Sequence, residues 1–469
     1  MVSVGIECLI RGRKYYERSR VQRSYPSSNK LYKRTILLSI SAIVALLAHA
    51  VFLLLLPAAS QKNQSSDYTA YYEPVAQKLA AGGGLVLASK PALLYPPGIP
   101  MLYATTFWIS DALDISHGAG LRILEALFVI GSGVLVGAVA MRFFSLRIAL
   151  TASILWSTYP FHLWLTKQPD PSAAFSMFLL LGVFLFLLWS TDGCHEVLYG
   201  VLLGVVLGIT ALIKPFSIAL PAVFAGLAWM CAIPCRPRHR GRFSFCVLVA
   251  YLLLISPWEI WAWQASGHWI PLCTNGPNAL IDGLTFGTVR GLKQVPMPES
   301  VRTLTEDAVA HAKQLRTTTS IANFMVAQIR EKPEAVVRLF LLKAVRSWYG
   351  SESHTRETWV VVIQLFYLPF VVFGVGTVWR GGRQQKNFLL VAMAITLYFW
   401  TMTAITALAI LRYMVPVVSL LMVFAAVALE ALAIQHFRPL LLHHASRFIH
   451  RLSPLHQPAR VFQPPFHEQ

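Results

Sequence analysis

The sequence predicts an all-α polytopic membrane protein, and its composition and hydropathy support this class. Hydrophobic residues make up 56% of the 469-residue chain and charged residues only 13%, whereas soluble domains have about 25% charged residues. The mean hydropathy is +0.56 per residue. Long apolar stretches recur along the chain. The net charge is +19. In membrane proteins, basic residues concentrate in cytoplasmic loops and at lipid headgroups, so we expect no nucleic-acid partner.

Ten apolar stretches have the length and composition of transmembrane helices. A helix rises about 1.5 Å per residue, so roughly 20 residues cross a ~30 Å hydrocarbon core. Residues 335–350 are also apolar but contain three cations, which fits an interfacial helix as well as a further crossing. The predicted spans are about 35–57, 119–141, 148–164, 172–190, 197–213, 216–233, 243–263, 357–379, 387–410 and 413–434.

The basic residues orient these spans. Residues 1–34 hold nine Lys or Arg and two Glu, and short basic segments mark the cytoplasmic side of a membrane. We therefore expect a basic cytoplasmic arm at 1–34, a transmembrane domain at 35–434 and a basic cytoplasmic tail at 435–469. Residues 58–118 and 264–356 are then long outside loops. The expected location is the cytoplasmic (inner) membrane, with both termini in the cytoplasm.

The first outside loop contains an early carboxylate and a rigid turn. Asp67 precedes aromatic and apolar residues at helical spacing, which predicts a helix lying on the membrane surface. We expect the helix to start near Glu73, with Pro74 in its first turn. Asp67 is either a helix N-cap or a catalytic base. Tyr95 begins a Tyr-Pro-Pro-Gly turn, which makes it a candidate for contacting the sugar or the acceptor.

Three further ionisable groups lie at the outside ends of predicted spans. Asp170 stands between two prolines in the next outside loop, Lys214 stands where the fifth and sixth spans meet, and Arg412 begins the last span. Each of them alone fits a snorkelling or structural residue. Together with Asp67 they would place four ionisable groups at one membrane face, and ionisable groups in such positions are usually functional.

These residue types suit the transfer of a sugar from a lipid-linked phosphate. Cations at the level of the lipid headgroups can bind a phosphate, and a nearby carboxylate can deprotonate an acceptor hydroxyl. The phosphate is already a good leaving group, so the reaction needs no general acid, and a cation can stabilise its developing charge. In-line attack would invert the anomeric carbon of the sugar.

Short motifs follow one another along the chain in a characteristic order. They are Asp67 with Tyr71, the 76–84 stretch, Tyr95-Pro-Pro-Gly98, GVVLGITALIKP at 204–215, Ser256-Pro-Trp258, PLCTNG at 271–276 and Arg412-Tyr-Met-Val-Pro416. Over about residues 35–430, this order resembles the GT-C fold glycosyltransferases, specifically glycosyltransferase family 39 and its bacterial relatives. Protein O-mannosyltransferases and lipid A aminoarabinose transferases are among these relatives. The resemblance implies a GT-C-like helical bundle with interfacial helices in the first outside loop.

The resemblance also implies an enzyme that takes a sugar from a polyprenyl-phosphate donor. It assigns the base to Asp67 and places two cations, Lys214 and Arg412, at the donor phosphate. Lys214 stands where relatives more often have Arg, and Asp67 is followed by Tyr68 where relatives often have a second acid. The expected catalytic residues are Asp67 and Asp170, and the expected substrate-binding residues are Lys214, Arg412, Tyr413 and Tyr95.

The sequence contains no evident set of metal ligands. His268 and His354 are candidates, but an ordinary interfacial histidine accounts for each of them. We predict no cofactor and leave a divalent metal open. The expected partners are a polyprenyl-phosphate sugar, a lipid, glycan or protein acceptor, and membrane lipids.

The expected function is a hexosyl- or pentosyltransferase acting on a hydroxyl acceptor at the outer face of the membrane. One alternative is a transporter or flippase of lipid-linked sugars. Such proteins place ionisable groups near the bilayer midplane and show inverted repeats, whereas the spans here are nearly free of acids. The other alternative is a non-catalytic component of an envelope-polymer machine, which would tolerate the joint loss of Lys214 and Arg412.

Overall fold

A computed structural model of the chain, with side chains from 32 to 434, describes residues 28–57, 67–231, 237–352 and 356–452. Most of the predicted arm, the side chains of the predicted tail, and His354 lie outside this description. The predictions for these parts therefore stay predictions.

The described residues form helices almost throughout, with one small hairpin. In chain order the helices are α1 (Ser28–Leu55), α2 (Glu73–Ala80), α3 (Gly98–Ala112), α4 (His117–Met141), α5 (Leu146–Ser157), α6 (Pro160–Leu165), α7 (Pro171–Asp192), α8 (Glu196–Ile213), α9 (Leu220–Met230), α10 (Pro237–Ser266), α11 (Gly276–Thr285), α12 (Glu299–Ala310), α13 (Thr318–Glu331), α14 (Pro333–Arg346), α15 (Glu357–Trp379), α16 (Arg383–Thr406) and α17 (Val415–Leu452). The two strands are β1 (Val86–Leu87) and β2 (Lys90–Pro91).

Eight of the described helices are long and apolar enough to cross a membrane. An apolar helix suits the bilayer because it satisfies its own backbone hydrogen bonds where water is absent. Helix α7 and the apolar part of α17 are the most deeply buried of the eight, whereas α1 and α15 expose most of their surface. The chain is therefore a multi-pass membrane protein with α7 and α17 at the centre of the bundle. The eight helices are α1, α4, α7, α8, α10, α15, α16 and α17.

The third and sixth predicted spans are not single long helices, which corrects the prediction. In the third, helix α5 ends at Ser157 and the short α6 starts at Pro160, because Tyr159 has an extended backbone and a proline ring cannot continue a helix. In the sixth, a 3₁₀ turn at Pro215–Ser217 precedes the 11-residue α9. At about 1.5 Å per residue, α5 and α9 are each shorter than the hydrocarbon core.

These shorter helices still carry the chain from one end of the bundle to the other. Arg142 binds Asp192, so α4 and α7 end together. His239 contacts Glu196 at 2.8 Å, so α8 and α10 begin at neighbouring positions. Since α7 starts at the opposite end from Arg142, the chain returns through α5 and α6, and it returns through α9 between α8 and α10 for the same reason. The described chain therefore traverses the bundle ten times.

The segment between α1 and α4 contains two short helices, α2 and α3, in the loop where interfacial helices were predicted, and also a hairpin that was not predicted. Helix α3 exposes Trp108, Ile109 and Leu113, which is typical of a helix lying against lipid. Strands β1 and β2 pair in antiparallel register, and Ala88 and Ser89 have positive φ angles of 46° and 63° between them. Tight hairpin turns of this kind usually contain Asn-Gly or Asp-Gly, so the Ala-Ser pair offers no sequence signal.

The long segment between α10 and α15 forms a helical cap, made of α11 to α14, with a hydrophobic core of its own. Val301, Leu304 and Leu339 are fully buried in this core, which also includes residues 408–410 just before Arg412. The cap therefore rests on the segment that carries Arg412. Helix α14, which covers most of the 335–350 stretch, has 14 residues and packs within the cap, so it is not a crossing.

Candidate active site

Asp67 lies just before a single π-helical turn at Tyr68–Tyr72 that continues directly into α2. Its backbone is already helical, with φ −65° and ψ −40°, and its side chain makes no capping hydrogen bond. The N-cap interpretation is therefore wrong, and α2 begins at Glu73 as expected. The Asp67 Oδ1 atom instead accepts a hydrogen bond of 2.9 Å from the Tyr95 hydroxyl. The carboxylate is thus held by a distant part of the same loop.

The turn that begins at Tyr95 is held by a second tyrosine. The Tyr71 hydroxyl lies 2.7 Å from the Ala92 carbonyl oxygen and 3.0 Å from the Tyr95 carbonyl oxygen, and the Tyr71 and Tyr95 rings meet edge to face. Burial raises the pKa of the Tyr95 hydroxyl, and Asp67 raises it further. Tyr95 therefore stays protonated and acts as a fixed hydrogen-bond donor to Asp67.

Gly98 brings this turn against the end of α8. A Cβ atom at Gly98 would lie 2.5 Å from the Leu212 carbonyl oxygen, closer than any side chain can approach. Leu212 stands two residues before Lys214, so the absence of a side chain at Gly98 sets the spacing between the Tyr95 turn and Lys214. This close contact gives a physical reason for the glycine in the Tyr-Pro-Pro-Gly motif.

Asp170 is the N-cap of α7 and also binds Arg412. Its carboxylate accepts a 2.7 Å hydrogen bond from the Ser172 backbone N–H and lies 2.5 Å from the Arg412 Nη2 atom. Burial alone would raise the pKa of Asp170, but Arg412 and Lys214 outweigh it and hold the pKa below its usual value. Asp170 is therefore ionised, and its carboxylate is engaged by Arg412 and by the Ser172 backbone.

Lys214 follows the last residue of α8 and points toward α7. Its Nζ atom donates a 2.8 Å hydrogen bond to the Ser172 hydroxyl and lies 5.8 Å from the centre of the Tyr413 ring. Burial lowers the pKa of Lys214 to about 8, with a further contribution from Arg412. Lys214 is therefore mostly protonated at neutral pH. Its ammonium group donates to the neutral Ser172 hydroxyl.

Arg412 and Tyr413 lie in a 3₁₀ turn just before α17. Arg412 Nη1 also lies 3.4 Å from Glu352 Oε1, which follows the cap. Burial alone would lower the pKa of Arg412, but the Asp170 and Glu352 carboxylates outweigh it and raise the pKa above its usual value. The Tyr413 ring stacks on Phe216, with ring centres 5.4 Å apart. The last span thus contributes a permanent cation and an aromatic wall.

All six residues predicted for the site come together at one end of the bundle. Three contacts link them in pairs: Tyr95 with Asp67, Arg412 with Asp170, and Lys214 with Tyr413. The pairs are also coupled to one another, since Asp67 acts electrostatically on both Lys214 and Arg412. The arrangement combines a carboxylate, two cations and a fixed tyrosine hydroxyl.

Several charged residues at this site were not predicted. Asp282 and Arg290 form a 2.9 Å ion pair in the cap, and both act electrostatically on the predicted site, Asp282 with Asp67 and Arg290 with Tyr413. Their stretch of the long loop carries no recognisable motif. Glu125 in α4 accepts a 3.3 Å hydrogen bond from the Asp170 backbone N–H. The available signal for Glu125 was an acid within an otherwise apolar span.

Within the described residues, no group of three or more His, Cys, Asp or Glu side chains could hold a metal ion. His268 is exposed beside Ser266. The cofactor prediction is tested by neither observation and stays a prediction.

Comparison with known proteins supports the fold. Residues 96–261, about a third of the chain, match the family model described as dolichyl-phosphate-mannose-protein mannosyltransferase. The matched segment contains Asp170 and Lys214 but neither Asp67 nor Arg412. No curated protein sequence matches the chain.

Solved structures extend the likeness to nearly the whole chain. The apo oligosaccharyltransferase of Archaeoglobus fulgidus aligns with a TM-score of 0.53 at 13% identity, over 90% of this chain and 53% of its own. The same archaeal enzyme, AglB, in complex with an inhibitory peptide and a dolichol-phosphate, aligns with a TM-score of 0.51 at 14% identity, over 89% of this chain and 52% of its own. The chain thus spans about half the length of these structures. The architecture is that of the GT-C fold, as the sequence motifs predicted.

Proposed function

We propose that this chain is an integral membrane glycosyltransferase that moves a sugar from a polyprenyl-phosphate donor to a hydroxyl group of a lipid, glycan or protein. The observation that carries the proposal is the meeting of Asp67 with Lys214 and Arg412 at one end of the bundle. The match to a mannosyltransferase family that uses dolichyl phosphate supports the donor class. The dolichol-phosphate in the archaeal structure of similar fold supports it as well.

Asp67 acts as the base in this proposal. The Tyr95 hydroxyl engages Oδ1, which leaves Oδ2 to accept the proton of the acceptor hydroxyl. The acceptor oxygen then forms the new bond to the anomeric carbon while the bond from that carbon to the phosphate oxygen breaks. The bonding electrons leave with the phosphate, and the sugar inverts at its anomeric carbon.

Lys214 and Arg412 hold the phosphate in this proposal. Each cation can donate hydrogen bonds to phosphate oxygens and stabilise the charge that develops on the leaving group. Asp170 fixes the Arg412 guanidinium from the side, so its contribution is to position a cation. We propose that this end of the bundle faces the outside of the cytoplasmic membrane, because short basic segments predict that the opposite end is cytoplasmic.

The clustering of ionisable groups at one end of the bundle also weighs against a transporter. A transport site is expected near the bilayer midplane, between repeated halves. The groups described above lie at helix ends and in the loops instead. A scaffold without activity would have no need for two cations beside a fixed carboxylate.

The test is the Asp67→Asn variant, assayed in detergent for release of polyprenyl phosphate from a polyprenyl-phosphate sugar in the presence of cell-envelope extract. We expect turnover to fall by about 10²- to 10⁴-fold, because an amide cannot accept the proton. The matched control is Asp111→Asn, which changes an exposed carboxylate of α3 that contacts only His117 in the described structure. Normal turnover in Asp67→Asn, or no release by the unchanged protein, would contradict the proposal.

A further inference from the structure

A cavity lined by residues that adjoin Asp67 and Asp170 in the chain has no role in the chemistry described so far. It has a volume of about 160 Å³, and a water molecule takes up roughly 30 Å³ in the liquid. The cavity therefore has the capacity of several water molecules, which is the size class of one sugar ring. Its lining residues are Tyr68, Gly118, Leu121, Arg122, Glu125, Thr166, Gln168 and Pro169.

Glu125 is the residue that marks this cavity as a binding site. Its side chain is only 2% exposed, and its Oε1 atom accepts the hydrogen bond from the Asp170 backbone. In the described part of the chain, its Oε2 atom is buried without a hydrogen-bond partner. A buried carboxylate oxygen without a partner is costly, so a ligand that donates a hydrogen bond there would relieve the cost.

The remaining lining fits a neutral, hydroxyl-rich ligand. Arg122 stands one helical turn before Glu125 and donates a 3.0 Å hydrogen bond to the Lys167 carbonyl oxygen, so its guanidinium is already engaged and does not single out an anion. Gln168 adds a polar amide, whereas the Thr166 hydroxyl already donates to the Leu163 carbonyl oxygen at 2.7 Å and lies 3.2 Å from His49 Nδ1. The Tyr68 ring supplies an apolar wall, and its own hydroxyl is bound to Glu73 at 3.2 Å. Such a ring with a few converging polar groups is the usual composition of a small-molecule site.

Two residues of the cavity lining, Tyr68 and Pro169, are the chain neighbours of Asp67 and Asp170. Tyr68 directly follows Asp67, and Asp170 connects Glu125, through its backbone, with Arg412, through its side chain. A ring held by Glu125 would therefore lie against residues that adjoin Asp67 and Asp170 in the chain, while Lys214 and Arg412 do not line the cavity.

We propose that this cavity binds a sugar ring, with Glu125 Oε2 accepting a hydrogen bond from one of its hydroxyl groups. The inference rests on the proposed function, because it assigns the ring either to a glycan acceptor or to the donor sugar. The chemistry of recognition is the same for both sources. The role of Glu125 is substrate binding and involves no proton transfer.

The test measures binding without turnover. Purified protein in a detergent that carries no sugar headgroup is titrated with methyl glycosides of common hexoses and pentoses, and saturation-transfer NMR reports the bound glycoside. We expect a signal for at least one glycoside. Glu125→Gln replaces one carboxyl oxygen with an NH₂ group and should weaken the Kd by up to about 10-fold, the usual effect of losing one hydrogen bond. Thermal melting verifies that the variant folds.

Two further variants make the result specific. Gly118→Phe adds a large ring at an exposed lining residue of the cavity without altering a buried charge, since a Cβ atom there meets no other atom within 4 Å, and it should weaken the signal even where Glu125→Gln does not fold. Glu259→Gln is the matched control, because Glu259 Oε1 also accepts a backbone hydrogen bond, from Leu272 at 2.8 Å, and Glu259 does not line the cavity. It should keep the signal.

The outcomes separate this inference from the proposed function. A glycoside signal that persists in Gly118→Phe and Glu125→Gln, or no signal in the unchanged protein, would overturn the cavity assignment whatever the effect of Asp67→Asn on turnover. When the signal is present, a saturating polyprenyl-phosphate sugar that displaces the glycoside identifies the donor ring as the occupant. A glycoside that stays bound identifies the acceptor.

Discussion

At the scale of single residues, Lys214 and Arg412 differ in their hydrogen-bond partners and in how firmly they hold their charge. Arg412 is held by the carboxylates of Asp170 and Glu352, so its charge is permanent and already partly compensated. Lys214 donates to the Ser172 hydroxyl, and burial lowers its pKa to about 8. Lys214 is therefore the cation whose charge can change near physiological pH.

This difference predicts a pH dependence of donor binding. The protonated form of Lys214 attracts the phosphate, so affinity for the polyprenyl-phosphate sugar should be constant below about pH 7 and fall as the pH rises through about 8, the pKa of Lys214. The phosphodiester of the donor does not titrate in this range. Equilibrium binding of a labelled donor between pH 6 and pH 10 measures the effect.

Lys214→Arg is the matched control, since a guanidinium stays charged at all these pH values. Its donor affinity should not change between pH 6 and pH 10. If Lys214→Arg and the unchanged protein lose affinity at the same pH, another group carries the dependence and the assignment of Lys214 to the phosphate fails.

At the scale of elements, the site depends on how closely the first outside loop approaches the end of α8. Gly98 begins α3 and lies against the Leu212 carbonyl, while the Tyr71 hydroxyl holds the preceding turn. These contacts bring Asp67, on the π-helical turn, to the same place as Lys214, at the end of α8. The glycine is therefore part of the geometry of the site.

Gly98→Ala should test this approach. The added Cβ atom would lie 2.5 Å from a backbone oxygen, so the loop must move. We expect a loss of about 1–3 kcal/mol in stability, as for an overpacked core, and a fall in turnover. Thermal unfolding in detergent and the polyprenyl-phosphate release assay measure the two effects.

The control is Gly226→Ala in α9, where a Cβ atom meets no other atom within 4 Å. Alanine favours a helix over glycine, so this variant should be neutral or slightly more stable. Equal effects of the two substitutions would show that the close contact at Gly98 is unimportant.

At the scale of the whole molecule, ten traverses place the cap and the first outside segment at one end of the bundle. The opposite end carries the Arg142–Asp192 ion pair and the connection between α15 and α16. We infer from the basic residues that this opposite end faces the cytoplasm. The orientation determines whether the proposed active site meets acceptors outside the cell.

Cysteine labelling in intact cells can test the orientation. Lys313→Cys in the cap should react with a membrane-impermeant maleimide, because this position is exposed and lies at the outside end. Arg380→Cys, exposed at the opposite end, should react only after the cells are lysed. The unchanged chain measures the background from its native cysteines, and the reverse labelling pattern would place the site in the cytoplasm.

The sequence by itself determined the class of the protein and predicted the residues that meet in the candidate site. Apolar runs predicted the spans because a bilayer excludes unpaired backbone groups, and ionisable residues at span ends predicted Asp67, Asp170, Lys214 and Arg412 because such positions are costly unless they are used. Both signals are local and can be read from neighbouring residues. The break at Pro160 was also readable locally, although the stretch around it was predicted as one helix.

Only the tertiary structure decided how these residues divide the work. The hydrogen bond between Tyr95 and Asp67 joins residues 28 positions apart, and the one between Asp170 and Arg412 joins residues 242 positions apart. Partners so distant cannot be read from spacing along the chain. They excluded the helix-cap interpretation of Asp67, whose carboxylate is held by Tyr95, and they showed that Asp170 holds Arg412. The cavity at Glu125 likewise exists only because three separate segments close around it.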